Sequence, residues 1–320
     1  MIEYILFVVG IVFILKGADF LIEGSSALAT KFGVSQLVIG LTIVSFGTSM
    51  PELVVNMAAV MEGTGDIALG TIIGSNISNI FLILGLTAVF FPPRIEHSTV
   101  WKEIPFSLLA VIVLFILTNE FLIDGFEVFS LARTDGLLML CFFTIFIYYM
   151  FSMFKNRNNN NPESKELIKM KSHKIIFLIL AGFLGLYFGG RWTVDGAVFI
   201  AGNFGLSEFM VSATIIAIGT SLPELVTSIK AAMKKNVDLA VGNVVGSNIF
   251  NIFLILGITA TVSPLPIPDF LNMDIGFLFS ATALLFLFMF IGEKRKLEKW
   301  QGCLFVLFYL TYITFLILRG

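Results

Sequence analysis

Charge is what this chain has least of. Of its 320 residues only 13 % are Asp, Glu, Lys or Arg, about half the ~25 % typical of soluble domains. That is too little to cover the surface of a water-soluble fold of this size. Histidine is scarcer still: His97 and His173 are the only two, both in loop-like stretches, and no HExxH pattern is present. An intramembrane metalloprotease would therefore lack its ligands. The two cysteines, Cys141 and Cys303, each lie in an apolar run and read as small hydrophobes, not as a disulfide framework. The net charge of −2 carries no interpretable sign, and no basic patch points to nucleic acid. Met1-Ile2-Glu3 lacks the basic start of a signal peptide, so the first apolar segment is expected to stay in the mature chain.

What is present is hydrocarbon. Hydrophobic residues make up 57 % of the chain, 35 of them Phe, and the mean hydropathy is +0.96. This composition belongs to an integral membrane protein, in which helical spans of ~20 residues cross the bilayer core. Charges and Gly/Pro clusters divide the sequence into ten apolar segments, 3–28, 34–61, 66–92, 102–120, 134–154, 174–200, 206–232, 237–263, 273–292 and 299–318. The one clearly hydrophilic stretch, 155–173, contains four consecutive asparagines before Pro162 and is expected to be a short cytoplasmic linker. It separates a first unit, 1–154, from a second, 174–320.

With the N-terminus outside, the cytoplasmic connections carry Lys31, Arg94, Lys102, six basic residues from Lys155 to Lys174, then Lys230, Lys234, Lys235, Lys294, Arg295, Lys296 and Lys299. Only Arg133 and Arg319 fall outside, with Lys16 and Arg191 inside spans. The positive-inside bias thus predicts both termini outside.

The chain also repeats itself. Ile43 to Val54 recurs as Ile215 to Val226, sharing Gly-Thr-Ser-x-Pro-Glu, and Gly74 to Gly85 recurs as Gly246 to Gly257, both at an offset of 172. The same offset aligns Gly17 with Gly189, Glu23 with Asp195 and Asp66 with Asp238, so an ungapped match extends over roughly 75 residues. Five spans per copy is odd, which predicts that the second copy sits upside down. Matched loops agree, since Glu62-Gly63 aligns with Lys234-Lys235 and Lys31 with Asn203. Inverted repeats are a mark of secondary transporters, with the binding site at the repeat interface near the midplane.

Both repeated motifs place a carboxylate mid-span, where it is expensive. Pro51 and Pro223 free the carbonyls of Gly47 and Gly219, four residues back. Such carbonyls at membrane depth must face protein or a water-filled cavity. Thr48 and Glu52 share a helical face, with Ser49 beside them, and Ser75/Asn79 and Ser247/Asn251 are likewise four apart. Glycines 70, 74, 242 and 246 are expected to let these helices approach closely. The donor set is hard oxygen, suited to calcium or sodium more than to magnesium or zinc. A single membrane hydroxyl is most often a helix–helix hydrogen bond; here the glutamates recur with the same proline and hydroxyl neighbours. Lys16, Asp19 and Arg191 receive no role.

The duplicated GTSxPE and GSNxxN segments resemble the α-repeats of the sodium/calcium exchangers in the calcium/cation antiporter superfamily, and the resemblance covers most of the chain. It implies an all-α membrane fold of ten helices, with a core of the second, third, seventh and eighth and with the first and sixth sliding across it to alternate access. It further implies calcium on Glu52, Glu224, Thr48 and Thr220. Sodium would be held by Ser49, Ser75, Ser221, Ser247 and the carbonyls of Ser45 and Ala217, sharing Glu52, Glu224 and Thr220, with Asn79 and Asn251 in the set.

Two departures are visible. Thr71 stands where the motif usually reads Asn, as Asn243 does in the second copy, and Asn251 stands where some members carry Asp. Two formal charges instead of three argue against potassium dependence. The linker is too short for the calcium-sensing domains of the animal exchangers. The resemblance thus implies a compact prokaryotic-type antiporter of the plasma membrane, working as a monomer, with transported Na+ and Ca2+ but no cofactor and no nucleic acid. Two rivals use the same glutamates: a calcium/proton exchanger, in which they carry protons, and a cation channel, in which they form a selectivity ring. An enzyme lacks a nucleophile–base pair.

Overall fold

Backbone groups in hydrocarbon must be satisfied within their own segment, so the apolar runs become helices. The computed structural model describes residues 2–61, 65–120, 125, 130–157, 170–203, 219, 221–268 and 270–319. In chain order the helices are α1 (Ile2–Phe32), α2 (Gln36–Thr48), α3 (Met50–Met61), α4 (65–90), α5 (Thr99–Thr118), α6 (Arg133–Arg157), α7 (Ser172–Asn203), α8 (Leu222–Met233), α9 (Val237–Val262), α10 (Leu271–Phe288) and α11 (Lys299–Arg319). Eight of them are long and apolar enough to cross a membrane, and the bent pair α2–α3 makes a ninth. The seventh expected segment is described only in its second half, α8, because 204–218 and Thr220 lie outside the described residues.

Several boundaries differ from the sequence expectation. The segment 34–61 is not one rod: it bends by 42° between α2 and α3. Ser49 sits at the break with φ −86° and ψ 3°, two residues before Pro51, whose ring and missing N–H disfavour a continuous helix. Ser221 repeats this backbone, with φ −88° and ψ 5°, before Pro223. Helix α6 overruns residue 154 to Arg157, and α7 begins at Ser172, so helix enters both ends of the expected linker. A two-residue antiparallel ladder, Ser130–Leu131 with Leu265–Pro266, adds a strand pairing that an all-α reading lacked.

Burial separates the helices into a centre and a shell. In α9, 94 % of the apolar stretch is buried, and in α4 78 %, against 22–33 % in α1, α6, α7 and α11. A helix apolar all round and buried all round is a core helix. Helix α9 packs on α2 and α8, α4 against α11, and α10 against α5 and α4. The shell faces show Phe, Leu and Ile outward, as a lipid-facing surface does, and Cys141 and Cys303 are free and exposed on it.

Helices α1 and α7 form a long antiparallel pair whose main contacts are with each other. Their seam is backbone on backbone. A Cβ on Gly17 would lie 2.7 Å from the Leu186 nitrogen, and one on Gly10 2.8 Å from the Thr193 nitrogen. Small residues at such crossings let helices approach to van der Waals contact, the main attraction available in lipid.

Candidate functional site

The candidate site lies where the α2–α3 bend and the start of α8 meet the middles of α4 and α9. Glu52 is 1 % exposed and Glu224 fully buried, with Thr48, Ser49, Ser75, Asn79, Ser221, Ser247 and Asn251 buried around them. Ser49 Oγ donates to Glu224 Oε1 at 3.1 Å, which brings the second motif's carboxylate onto the first motif's turn. Ser221 Oγ lies 3.4 Å from Ser75 Oγ. Thr48 Oγ1 donates to Asn243 Oδ1 at 3.0 Å and is 3.5 Å from Ser247 Oγ. Ser45 Oγ donates into backbone carbonyls, those of Gly40 at 2.7 Å and Asn243 at 2.9 Å. Of the expected ligands, Ala217 and Thr220 lie outside the described residues; the others are all buried, and contacts across the two motifs link Ser45 and Thr48 to α9, Thr48 to Ser247, Ser49 to Glu224 and Ser75 to Ser221.

Local backbone is unusual here. Residues Ser78–Leu84 of α4 and Phe250–Leu256 of α9 are π-helical, seven residues each and 172 positions apart. Gly40–Val44 in α2 is a third such stretch. π-Helical turns in α-helices are frequent at functional sites, and each of the first two begins one residue before Asn79 or Asn251.

Beneath the serines lies a set of contacts that sequence reasoning did not assign. Asn76 Nδ2 donates to the Asn248 carbonyl at 3.2 Å, and Asn248 Nδ2 returns a bond to the Asn76 carbonyl at 3.3 Å. Asn79 Nδ2 donates to Asn248 Oδ1 and Asn251 Nδ2 to Asn76 Oδ1, both at 2.9 Å. The four amides form one knot with reciprocal bonds between α4 and α9. Asn56 Nδ2 donates to the Glu52 carbonyl at 2.7 Å, and Asn243 Nδ2 to Ser228 Oγ at 3.0 Å. The signal for Asn76 and Asn248 was available: they are the third residue of both GSNxxN motifs, polar and mid-span.

The knot decides which atoms are left over. With their N–H groups tied, Asn79 and Asn251 keep Oδ1 without a partner among the described residues, as Glu52 keeps both carboxylate oxygens and Glu224 keeps Oε2. These five carboxylate and amide oxygens are among twelve buried side-chain atoms without a partner among the described residues. Buried acceptors without donors are costly, and a cation satisfies them.

The close approach expected of the motif glycines holds on α9, where a Cβ on Gly242 would lie 2.7 Å from the Leu37 carbonyl oxygen and one on Gly246 2.8 Å from Leu41 Cα. A Cβ on Gly70 or Gly74 would meet no described residue within 4 Å beyond its own helix. The intramembrane charges also find places. Asp19 on α1 pairs with Lys230 at 2.7 Å and Lys234 at 2.8 Å, while Arg191 and Asp195 are 3.8 Å apart on the exposed face of α7.

A polytopic helical protein that buries two glutamates among hydroxyl and amide oxygens has donors suited to a cation. Its family follows from comparison. The sodium/calcium exchanger protein family matches residues 2–152 and 174–318, and the chain belongs to that family. Among curated relatives, the putative antiporter CaxA of Alkalimonas amylolytica is 35 % identical over 312 residues, 95 % of each chain. Sodium/calcium exchanger MaX1 of Methanosarcina acetivorans is 30 % identical over 347 residues, 98 % of each. Among solved structures, the sodium-calcium exchanger NCX_Mj matches with a TM-score of 0.83 at 30 % identity, over 98 % of both chains. The protein is therefore a multi-pass membrane protein and a cation antiporter of a family that handles Na+ and Ca2+.

Proposed function

We propose that this chain exchanges sodium for calcium by alternating access around one central site. The observation that carries the reading is the group of buried oxygens on Glu52, Glu224, Asn79 and Asn251 that have no donor among the described residues. Calcium is held by Glu52, Glu224 and the threonines Thr48 and Thr220. Sodium occupies sites built from Ser49, Ser75, Asn79, Ser221, Ser247, Asn251 and the carbonyls of Ser45 and Ala217, drawing also on the two glutamates and Thr220. The use of Ser45 through its carbonyl accords with its hydroxyl being spent on the backbone. Calcium's need for six to eight oxygens fits a site drawing on both motifs.

The architecture proposed is ten spans in two inverted units, 1–154 and 174–320, joined by the linker 155–173, both termini outside the plasma membrane. In support, Met50–Met61, Gly65–Ile77, Ser78–Leu84 and Gly85–Phe90 reappear 172 positions on with the same boundaries, as Leu222–Met233, Val237–Ile249, Phe250–Leu256 and Gly257–Val262. The α1–α7 pair moves as one body against the rest, consistent with a seam tighter than its other contacts. The chain acts as a monomer.

Calcium uptake into inside-out vesicles under an imposed sodium gradient tests this against an imposed proton gradient. Uptake driven by protons and indifferent to sodium would replace sodium as the coupling ion; current without counter-ion would indicate a channel. Glu52→Gln or Glu224→Gln is expected to abolish exchange while the protein still folds.

A further inference from the structure

Away from the candidate site, the described surface carries a structured cluster of cations. Two loops, 91–98 after α4 and 289–298 after α10, are fastened together by backbone bonds. Ile95 N–H donates to the Arg295 carbonyl at 2.6 Å and Leu297 N–H to the Pro93 carbonyl at 3.0 Å, with Arg94 paired in register to Lys296. The three acids in these loops are engaged internally. Glu298 accepts from the Glu293 N–H at 2.9 Å and from the Trp300 indole at 2.6 Å. Glu293 pairs with Lys296 at 3.0 Å, and Glu96 accepts from Ser98 Oγ at 3.5 Å.

Arg94, Lys294, Arg295 and Lys299, by contrast, form no ion pair among the described residues. Arg295 is held at φ 60°, a conformation that costs a non-glycine residue energy. Its N–H donates to the Met289 carbonyl at 2.9 Å, fixing the residue in place. The rim is aromatic: Trp101 is 53 % and Trp300 49 % exposed, and Trp101 packs against Phe290 at 5.4 Å. Exposed tryptophans at helix ends beside unpaired lysine and arginine are the composition of a membrane–water interface.

We propose that this clasp binds the headgroup of an anionic phospholipid in the leaflet it faces, with Arg94, Lys294, Arg295 and Lys299 on the phosphate and Trp101 and Trp300 on the upper acyl chain. Five basic residues, Arg94, Lys294, Arg295, Lys296 and Lys299, outnumber three glutamates, Glu96, Glu293 and Glu298, so the clasp keeps a net positive charge complementary to an anionic headgroup, and exposed tryptophans flank it. The assignment does not depend on which ion drives transport.

The test uses the full chain with Trp192→Phe, so that Trp101 and Trp300 alone report, in vesicles containing brominated phosphatidylglycerol or brominated phosphatidylcholine. Bromine quenches indole fluorescence on contact. The expected result is selective quenching by the anionic lipid, weakening as salt is raised. Each cation removed should lower the preference about fivefold. The triple variant Lys294→Gln, Arg295→Gly, Lys299→Gln, in which glycine suits the backbone at 295, should lose tenfold or more. Lys294→Arg with Lys299→Arg should keep it. Equal quenching by the two lipids, or a triple variant that retains the preference, would overturn the proposal. Should the triple variant fail to fold, Lys294→Gln and Lys299→Gln singly decide it by the same criterion. Calcium and sodium are absent from the assay, so its failure and the failure of the exchange reading remain distinct.

Discussion

Replacing Asn248 by alanine separates a ligand-orienting role from mere helix adhesion. The change removes the acceptor that holds Asn79 Nδ2 at 2.9 Å and the donor that reaches the Asn76 carbonyl at 3.3 Å. Interhelical hydrogen bonds inside a membrane average ~0.6 kcal/mol and reach ~1.7, whereas an orphaned buried donor costs ~1–3 kcal/mol. Losing both bonds should therefore destabilise the fold by about 1–3 kcal/mol. The second effect is specific. With its NH2 fastened to Asn248, Asn79 keeps Oδ1 without a partner among the described residues; on the proposed reading that oxygen serves sodium, and once released the amide can turn and offer hydrogens where a cation needs oxygen. A loss of about 1–2 kcal/mol in sodium binding follows, or roughly 5–30-fold in affinity.

Two measurements read these effects separately: thermal unfolding without ions, and the sodium concentration giving half-maximal calcium uptake in proteoliposomes. Thr259→Val serves as control, since that hydroxyl donates only within its own helix, to Ile255 at 2.7 Å. If Asn248→Ala lowers stability but leaves the sodium midpoint where it was, the asparagine knot is adhesion alone and the orientation argument fails.

Three further outcomes are expected. Gly17→Val puts side-chain atoms within 2.7–2.9 Å of the α7 backbone, so the pair must part and the melting temperature should fall by the equivalent of about 2 kcal/mol or more; Gly276→Ala, exposed with no described residue within 4 Å, should stay within about 1 kcal/mol. Arg319→Ala strips Asp274 of its partner at 3.0 Å, and with the carboxylate side chain 8 % and the arginine 24 % exposed the loss should be about 2–4 kcal/mol by thermal unfolding, toward the lower part of the range for broken buried pairs; Asp274→Asn should lose less. Asn243→Thr leaves Ser228 and Thr48 without their amide and should weaken calcium uptake several-fold, and adding Ser228→Asn should restore part of it; no coupling in that double-mutant cycle would mean that the pair does not act as one unit.

Composition and hydropathy made the helical spans legible because an uncompensated charge or an open backbone in lipid is costly enough to mark the sequence. The motif residues were legible for a different reason: Glu52 and Glu224 break the hydropathy rule twice, at one spacing. What the sequence did not disclose is where hydrogen bonds go. Nothing in the letters says that Asn76 and Asn248 would exchange bonds with each other's backbone, since that depends on α4 and α9 crossing at those residues. Nor does a seven-residue π-helical stretch leave a compositional mark, because Ser78–Leu84 and Phe250–Leu256 read as ordinary apolar helix. The break at Ser49 was only half visible: Pro51 announced a disturbed hydrogen bond, while the 42° bend depends on how α3 packs.

Duplication leaves the two halves alike but not equivalent, and the difference bears on how such a site would bind. Positions 49/221, 52/224, 75/247, 76/248 and 79/251 carry the same residue in each copy, yet 56/228 reads Asn then Ser and 71/243 reads Thr then Asn. Each half thus keeps one amide and one hydroxyl at this pair of positions, with the helices that carry them exchanged. The carboxylates inherit the asymmetry. Glu224 accepts a hydrogen bond from Ser49, whereas among the described residues neither oxygen of Glu52 has a donor. A cation entering between them must compete with the Ser49 hydroxyl for Glu224 but with no described donor for Glu52. On the proposed reading Glu52 is therefore the stronger ligand of the two, and Ser49 is released from Glu224 only when an ion replaces its proton as the partner.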